Sequence, residues 1–372
     1  MGTADLFMNP RREPVPAIAP VGDGPRRFHR RVPGYRPTPL VPAPSLAAEL
    51  GVASLWVKDE SSRLGLPSFK ILGASWATYR MLVDRLGAEP EWSTLAELRA
   101  GFSPLGALTL VAATDGNHGR AVARMAQLLG YGCRILVPAG TAAARISAIE
   151  SEGASVEVVD GTYDDAVARS AAMAADDALV VSDTSWDGYV DVPAHVIEGY
   201  ATIFAEVDEQ LDGAPVDLVV VPMGVGALTA AVVARYSAGA TVVAVEPQSA
   251  ACGLASARAG RPAYVPGPHH SIMAGLNCGT VSLVAWPAVQ AGVDAFVAID
   301  DAAAERAMRD LAALGVVAGE TGAASLAGLR ALAEHHGEPA VDLTGKHALV
   351  LCTEGATDPA AYERIVGTPP AI

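Results

Sequence analysis

The chain has 372 residues, of which 51% are hydrophobic, and a formal net charge of −15. That length supports two packed domains, and an acidic balance without a local basic patch argues against nucleic acid or an anionic membrane surface as a partner. No apolar run approaches the roughly 20 residues that cross a bilayer, and the N-terminus carries arginines but no apolar signal core, so a soluble, cytoplasmic protein is expected.

In chain order, the first forty-odd residues are rich in Pro and Arg and are expected to wrap over a surface until "TPLVPAPSLAAELGV" begins a helix. Next comes "LPSFKILGASWA", where Lys70 stands among Phe69, Ile71 and Leu72 beside Ser68, Gly73 and Ala74. These flanks predict a close-packed helix start in which an ammonium is desolvated, and a lysine so placed can serve as a Schiff-base nucleophile. Short Val/Ile/Leu bursts then alternate with Ala-rich amphipathic stretches: "ALTLVAA", "CRILVPAG", "VEVVD", "ALVVSD", "DLVVVPMG", "TVVAVEP" and "HALVLCTEG". Such bursts read as buried parallel strands joined by crossover helices, an α/β pattern without internal repeats. Ligands of such sheets sit at the carboxyl ends of the strands.

Three of those strand ends carry distinctive loops. After "ALTLVAA" comes "TDGNHGR", in which Gly116 and Gly119 bracket Asn117 and His118; a helix cap by Thr114 or Asp115 would leave that pair unexplained. After "ALVVSD" comes "TSWDGYVDVP", before which Asp183 could cap a helix. After "DLVVV" comes "PMGVGAL", whose Gly224 and Gly226 let the backbone aim N–H groups and a helix N-terminus at an anion. This loop lacks the Lys-Ser/Thr ending of a nucleotide P-loop and the third glycine of a dinucleotide fingerprint, so the phosphate belongs to something smaller than ATP or NAD. A lysine, a small phosphate cradle and an Asn-bearing loop together point to pyridoxal phosphate. The four cysteines, Cys133, Cys252, Cys278 and Cys352, form no C-x-x-C pair, so no metal site is expected and at most one disulfide, Cys252 to Cys278.

"SFK" before a Gly-Ala helix, "DGNHGR", the Gly loop after a strand and "GETGAA" resemble the tryptophan-synthase-β/threonine-dehydratase (fold type II) superfamily of pyridoxal phosphate enzymes. "YRPTPL", "KDESSRLGL", "TDGNHGR", "SDTSWDGY", "IMAGLNCG" and "TEGATDP" most resemble the diaminopropionate ammonia-lyase family, over nearly the whole chain. The resemblance implies two open, twisted, mainly parallel sheets with flanking helices. The active site would lie in the cleft between a larger cofactor domain, residues 1–78 and 195–372, and a smaller one, residues 79–194. It implies that Lys70 carries the cofactor beside Phe69, that Asn117 bonds the pyridoxal 3-oxygen, and that Gly224, Val225, Gly226, Ala227 and Leu228 hold the phosphate. Thr353, with Cys352 as the neighbouring candidate, would face the pyridine nitrogen. A hydroxyl there leaves that nitrogen largely unprotonated, which suits elimination better than transamination.

Substrate contacts are implied for Ser68, Thr114, Asp115, His118, Asp183 and Glu320. In the family the two aspartates are associated with removing the α-proton of D and L substrates respectively. Ser68, Gly73-Ala74 and Ala356 depart from the lyase pattern, the first three toward serine and threonine dehydratases. The expected activity is β-elimination of ammonia from 2,3-diaminopropionate or a similar small amino acid by a homodimer. The alternatives are a serine/threonine-type dehydratase, a β-replacement enzyme, or a regulatory module that binds the cofactor without turnover.

Overall fold

The computed structural model describes residues 4–13, 21–114, 116–338 and 340–370. Among the described residues eleven strands form two sheets: β1 (Asp5–Met8), β2 (Leu40–Pro42), β3 (Ser54–Asp59), β4 (Thr109–Ala113), β5 (Gly132–Pro138), β6 (Ser155–Val159), β7 (Ala178–Val180), β8 (Leu218–Pro222), β9 (Thr241–Pro247), β10 (Ala295–Ile299) and β11 (His347–Cys352). The larger sheet has the order β1-β10-β9-β8-β11-β3-β2 and the smaller the order β6-β5-β4-β7. All pairings are parallel except those of the edge strands β1 with β10 and β2 with β3. The architecture is the two-sheet α/β arrangement expected, and each burst read as a strand is one. The N-terminal segment differs from its expectation. Residues 5–8 pair with β10, and residues 40–42 form an edge strand before the helix Pro44–Leu50, because an edge strand needs only one hydrogen-bonding side and tolerates Pro42.

The strands are apolar on both faces because helices cover both. In β8, Val219 and Val221 enter one core layer while Leu218 and Val220 enter the other. In β4, Leu110 and Ala112 face one layer of the smaller sheet while Val111 and Ala113 face its opposite side. This two-residue alternation decides the C-terminal end of β11. Cys352 points into the core with Val220, and Thr353, one residue on, turns the other way.

The helix Lys70–Leu86 starts after β3 and a ten-residue loop, and a buried four-charge network holds that loop. Arg63 donates to Glu60 and Glu206, and Lys58 donates to Glu206, to Gln210 and to the Thr38 carbonyl, each at 2.9 Å. All four charged side chains are at most 1% exposed, so two cations balance two carboxylates without water. Removing one partner would leave an uncompensated buried charge, at a cost of about 3–5 kcal/mol. His29 adds a second tie. Its Nε2 lies 3.0 Å from the Leu72 carbonyl and its Nδ1 2.8 Å from Thr202 Oγ1, joining the helices Gly24–His29, Lys70–Leu86 and Asp191–Leu211. Since a carbonyl can only accept, Nε2 carries the proton and Nδ1 accepts from the threonine. All four cysteines are buried, and no disulfide joins Cys252 to Cys278. Among the described residues no helix is long and apolar enough to cross a membrane.

Burial pushes the His29 pKa down from 6.5 to about 3. Below pH 6.5 the unfolded chain takes up a proton that the folded chain refuses, so His29 makes the fold less stable as pH falls from 6.5 toward 3. Denaturant titrations of the wild type and His29→Gln should show the wild type losing about 1.4 kcal/mol more per pH unit across the lower part of that window. Parallel pH profiles would refute the assignment.

Candidate active site

Four strand ends and one helix start converge on a single cavity, at the carboxyl ends of β4, β7, β8 and β11. Lys70 is the first residue of its helix, and its Nζ lies 2.6 Å from Asp183 Oδ2 in the loop after β7. The lysine side chain is 20% exposed and the aspartate 5%, so the expected desolvation is partial and an opposite charge accompanies it. Phe69 places its ring 5.5 Å from the ammonium and packs on Tyr200. Gly73, one turn on, is set by helix packing rather than by the cavity: a Cβ there would lie 2.6 Å from the Tyr200 ring.

Asp183 caps no helix, since the next one begins at Asp191. Burial alone would raise its pKa, but the Lys70 charge, with hydrogen bonds from Lys70 and Tyr163, holds the carboxyl well below the usual carboxylate range. Tyr163 donates to Asp183 Oδ1 at 3.3 Å. His118 is buried, and burial lowers its pKa, so the imidazole is neutral at pH 7. Its Nε2 donates to the Val181 carbonyl at 2.8 Å, which leaves the Nδ1 lone pair 3.9 Å from Asp183 Oδ2, with no hydrogen-bond partner among the described residues.

Opposite the lysine, β8 ends in the loop that leads to the helix Ala227–Tyr236. Gly226 precedes that helix with φ +98° and no side-chain cap, so first-turn N–H groups are left for a guest. At Gly224 a Cβ would stand 3.1 Å from the Gly275 carbonyl and 3.2 Å from Cys278 Sγ. Gly224, Val225, Gly226, Ala227 and Leu228 all line the cavity, as do Phe69, Lys70, Thr114, Asn117, His118, Asp183 and Thr353. Thr114 Oγ1 accepts from the Gly116 N–H at 2.9 Å, which shapes the turn into the helix Asn117–Leu129.

Not every expected residue arrives there. Asp115 lies outside the described residues. Ser68 is buried beside the cavity with its backbone bridged to Glu354, and its side chain does not line the space. Glu320 lines a neighbouring pocket with Arg145, Asp358 and Arg364. Cys352, the alternative to Thr353, faces the core. The sequence reading missed Tyr163, and it missed Glu354, whose Oε2 accepts from Asn117 Nδ2. It also missed Asn277 and Cys278 as lining residues, although "IMAGLNCG" contains them.

The donor set suits one group: an amine for an aldehyde, a backbone cradle for a small phosphate, and a hydroxyl and an amide placed to flank a flat ring. These are the parts that pyridoxal phosphate requires. Among the described residues no cluster of three or more His, Cys, Asp or Glu could hold a metal ion.

Comparison with known proteins gives the same answer. Residues 32–345 match the family described as pyridoxal-phosphate dependent enzyme. Diaminopropionate ammonia-lyase of Escherichia coli K12 is 36% identical over 92% of this chain and 90% of its own length. That of Salmonella typhimurium is 34% identical over 91% and 90%. L-threonine dehydratase of Mycobacterium leprae is 34% identical over 88% of this chain and 71% of its own. The crystal structure of the Escherichia coli ammonia-lyase in complex with D-serine superposes with a TM-score of 0.89 at 31% identity, covering 98% of this chain and 97% of that one. At that identity and coverage, and with the fold in agreement, the chain belongs to the diaminopropionate ammonia-lyase family of pyridoxal-phosphate dependent enzymes.

Proposed function

We propose that this protein is a pyridoxal phosphate-dependent carbon–nitrogen lyase that eliminates ammonia from 2,3-diaminopropionate or a similar small amino acid, giving pyruvate and ammonia. The observation that carries this reading is the Lys70–Asp183 contact facing the Gly224–Leu228 loop: an amine, a buried base and a phosphate cradle around one space. Bound there, pyridoxal phosphate supplies an aldehyde for amines and a ring that draws electron density from the substrate's α-carbon.

The chain's own residues divide the remaining work. The loop N–H groups and the start of the helix Ala227–Tyr236 would hold the phosphate, Lys70 would anchor the aldehyde end, Asn117 would serve the 3-oxygen and Thr353 the ring nitrogen. Asp183 is ionised in the free site because the Lys70 ammonium stands beside it. Any loss of that counter-charge would let the burial of Asp183 raise its proton affinity, as a base must have at the moment it is needed. The neutral His118 Nδ1 behind it can then take the proton onward. Asp183 removes the α-proton of the L isomer, and Asp115 serves the D isomer. The 3-ammonium leaves as ammonia, and the unsaturated amine left behind takes up water to give pyruvate and a second ammonia.

We read the division into residues 1–78 with 195–372 and residues 79–194 as the two sides of the cleft. The helix Lys70–Leu86 runs across the first boundary. We also read the protein as a cytoplasmic homodimer acting on a free amino acid, with no nucleic acid or membrane partner, as the family resemblance and the acidic charge suggest.

Pyruvate and ammonia release should be assayed on both isomers of diaminopropionate and on serine and threonine. The expected result is two ammonia per pyruvate, with Asp183→Asn losing roughly 10²-fold or more on the L isomer and Asp115→Asn a similar factor on the D isomer. Serine consumed much faster than diaminopropionate would replace the lyase with the dehydratase reading, and wild-type rates in both variants would remove the aspartates from the reaction.

The cradle has its own test. Gly226→Val should weaken cofactor affinity roughly 10-fold or more, since a hydrogen bond to a charged group is worth about 1.5–3 kcal/mol. The cofactor-free protein should melt within a few degrees of wild type. Equal loss of affinity and stability would make the loop a structural turn.

A further inference from the structure

The motif "GETGAA" (319–324) has no part in the reaction described above, and Glu320 points into the neighbouring pocket. What the turn does hold is Glu354. The Gly319 N–H donates to the Glu354 carbonyl at 3.0 Å, and the Thr321 N–H donates to Glu354 Oε1 at 3.2 Å. A Cβ at Gly319 would stand 3.2 Å from that Oε1, and one at Gly322 would collide with the Glu354 carbonyl oxygen, so both glycines are required for this approach. The other carboxylate oxygen, Oε2, accepts from Asn117 Nδ2, which belongs to a helix of the smaller sheet's layer. The glutamate is 2% exposed and lines the cavity.

We propose that Glu354 is a positioning residue for Asn117, and that the Gly319–Gly322 turn exists to hold it. This rests on the cofactor placement proposed above. Because both carboxylate oxygens accept from N–H groups, only one orientation of the Asn117 amide fits: NH₂ toward Glu354. The amide nitrogen is thereby fixed at the cavity wall with its second N–H free for the cofactor's 3-oxygen. A glutamine at 354 cannot accept from both Thr321 and Asn117. Where it keeps the Thr321 bond, its NH₂ meets the asparagine, and the amide must turn its oxygen to the place where an N–H stood. With the cofactor bound as proposed, the carboxylate would set a negative charge behind Asn117, which would favour the protonated form of the lysine-bound group.

The experiment uses the holoenzyme and its visible absorbance. Two quantities are read in wild type, Glu354→Gln, Glu354→Asp and Asn117→Ala: the dissociation constant for pyridoxal phosphate and the pH midpoint of the lysine-bound chromophore. Melting of the cofactor-free proteins monitors folding. Glu354→Gln should move the midpoint down by about one pH unit or more and weaken cofactor binding about 10-fold, while Glu354→Asp, which keeps the charge, should hold the midpoint closer to wild type. Asn117→Ala should weaken binding at least as much. A wild-type midpoint and affinity in Glu354→Gln, with Asn117→Ala impaired, would overturn the role of Glu354. Unchanged affinity in Asn117→Ala would overturn the cofactor placement, and this proposal with it.

Discussion

The site depends on one contact: the Lys70 ammonium held 2.6 Å from the Asp183 carboxylate. The two residues come from different sheets. Lys70 opens the helix that follows β3 of the larger sheet, and Asp183 follows β7 of the smaller one. With the carboxylate buried and the ammonium partly so, the pair is costly to form unless both partners are held in place, and both are. The loop before Lys70 is tied by Arg63, Glu60, Lys58 and Glu206, and the loop carrying Asp183 has His118 bonded to its Val181 carbonyl. The charge arrangement also has a direction. The ammonium stabilises the carboxylate, and loss of its charge would make the buried carboxylate a stronger base.

Around that pair the other strand ends supply groups that are short in sequence and exacting in backbone. The loop after β8 contributes N–H groups rather than side chains, the turn after β4 contributes an amide, and the residue after β11 contributes a hydroxyl because the two-residue period has just placed Cys352 on the opposite face. The larger sheet reverses its strand order between β8 and β11, the place where open α/β sheets leave a crevice.

Local patterns made much of this legible in the sequence. A strand, a Gly-containing turn and a helix start are encoded by neighbouring residues, so the Gly224–Gly226 loop, the Asn117 turn and the environment of Lys70 were visible. Side chains whose meaning lies in a distant partner were not. Glu354 stands inside a motif that was recognised, but its partner Asn117 is 237 residues away and no local period connects them. Tyr163 opens a helix capped by Thr162 and Asp165, and no local pattern connects it to Asp183, twenty residues on. Ser68 and Glu320 show the converse: position beside a functional residue does not fix direction, since one is held by backbone pairing with Glu354 and the other turns into the adjoining pocket. The edge strand β1 was missed because four residues at a sheet margin need neither alternation nor turn signals.

The central claim is that Lys70 is the residue that carries the cofactor, and the chain is well suited to testing it because it contains only three lysines. Lys58 is fully buried against Glu206, and Lys346 precedes β11 at the end of the sheet away from the cavity. Borohydride reduction of the holoenzyme, followed by peptide mapping by mass spectrometry, reads the attachment point directly. The account predicts a pyridoxyl group on the peptide containing Lys70 and none on the other two. A stoichiometric label on Lys58 or Lys346, or retention of the visible absorbance by Lys70→Ala, would contradict it.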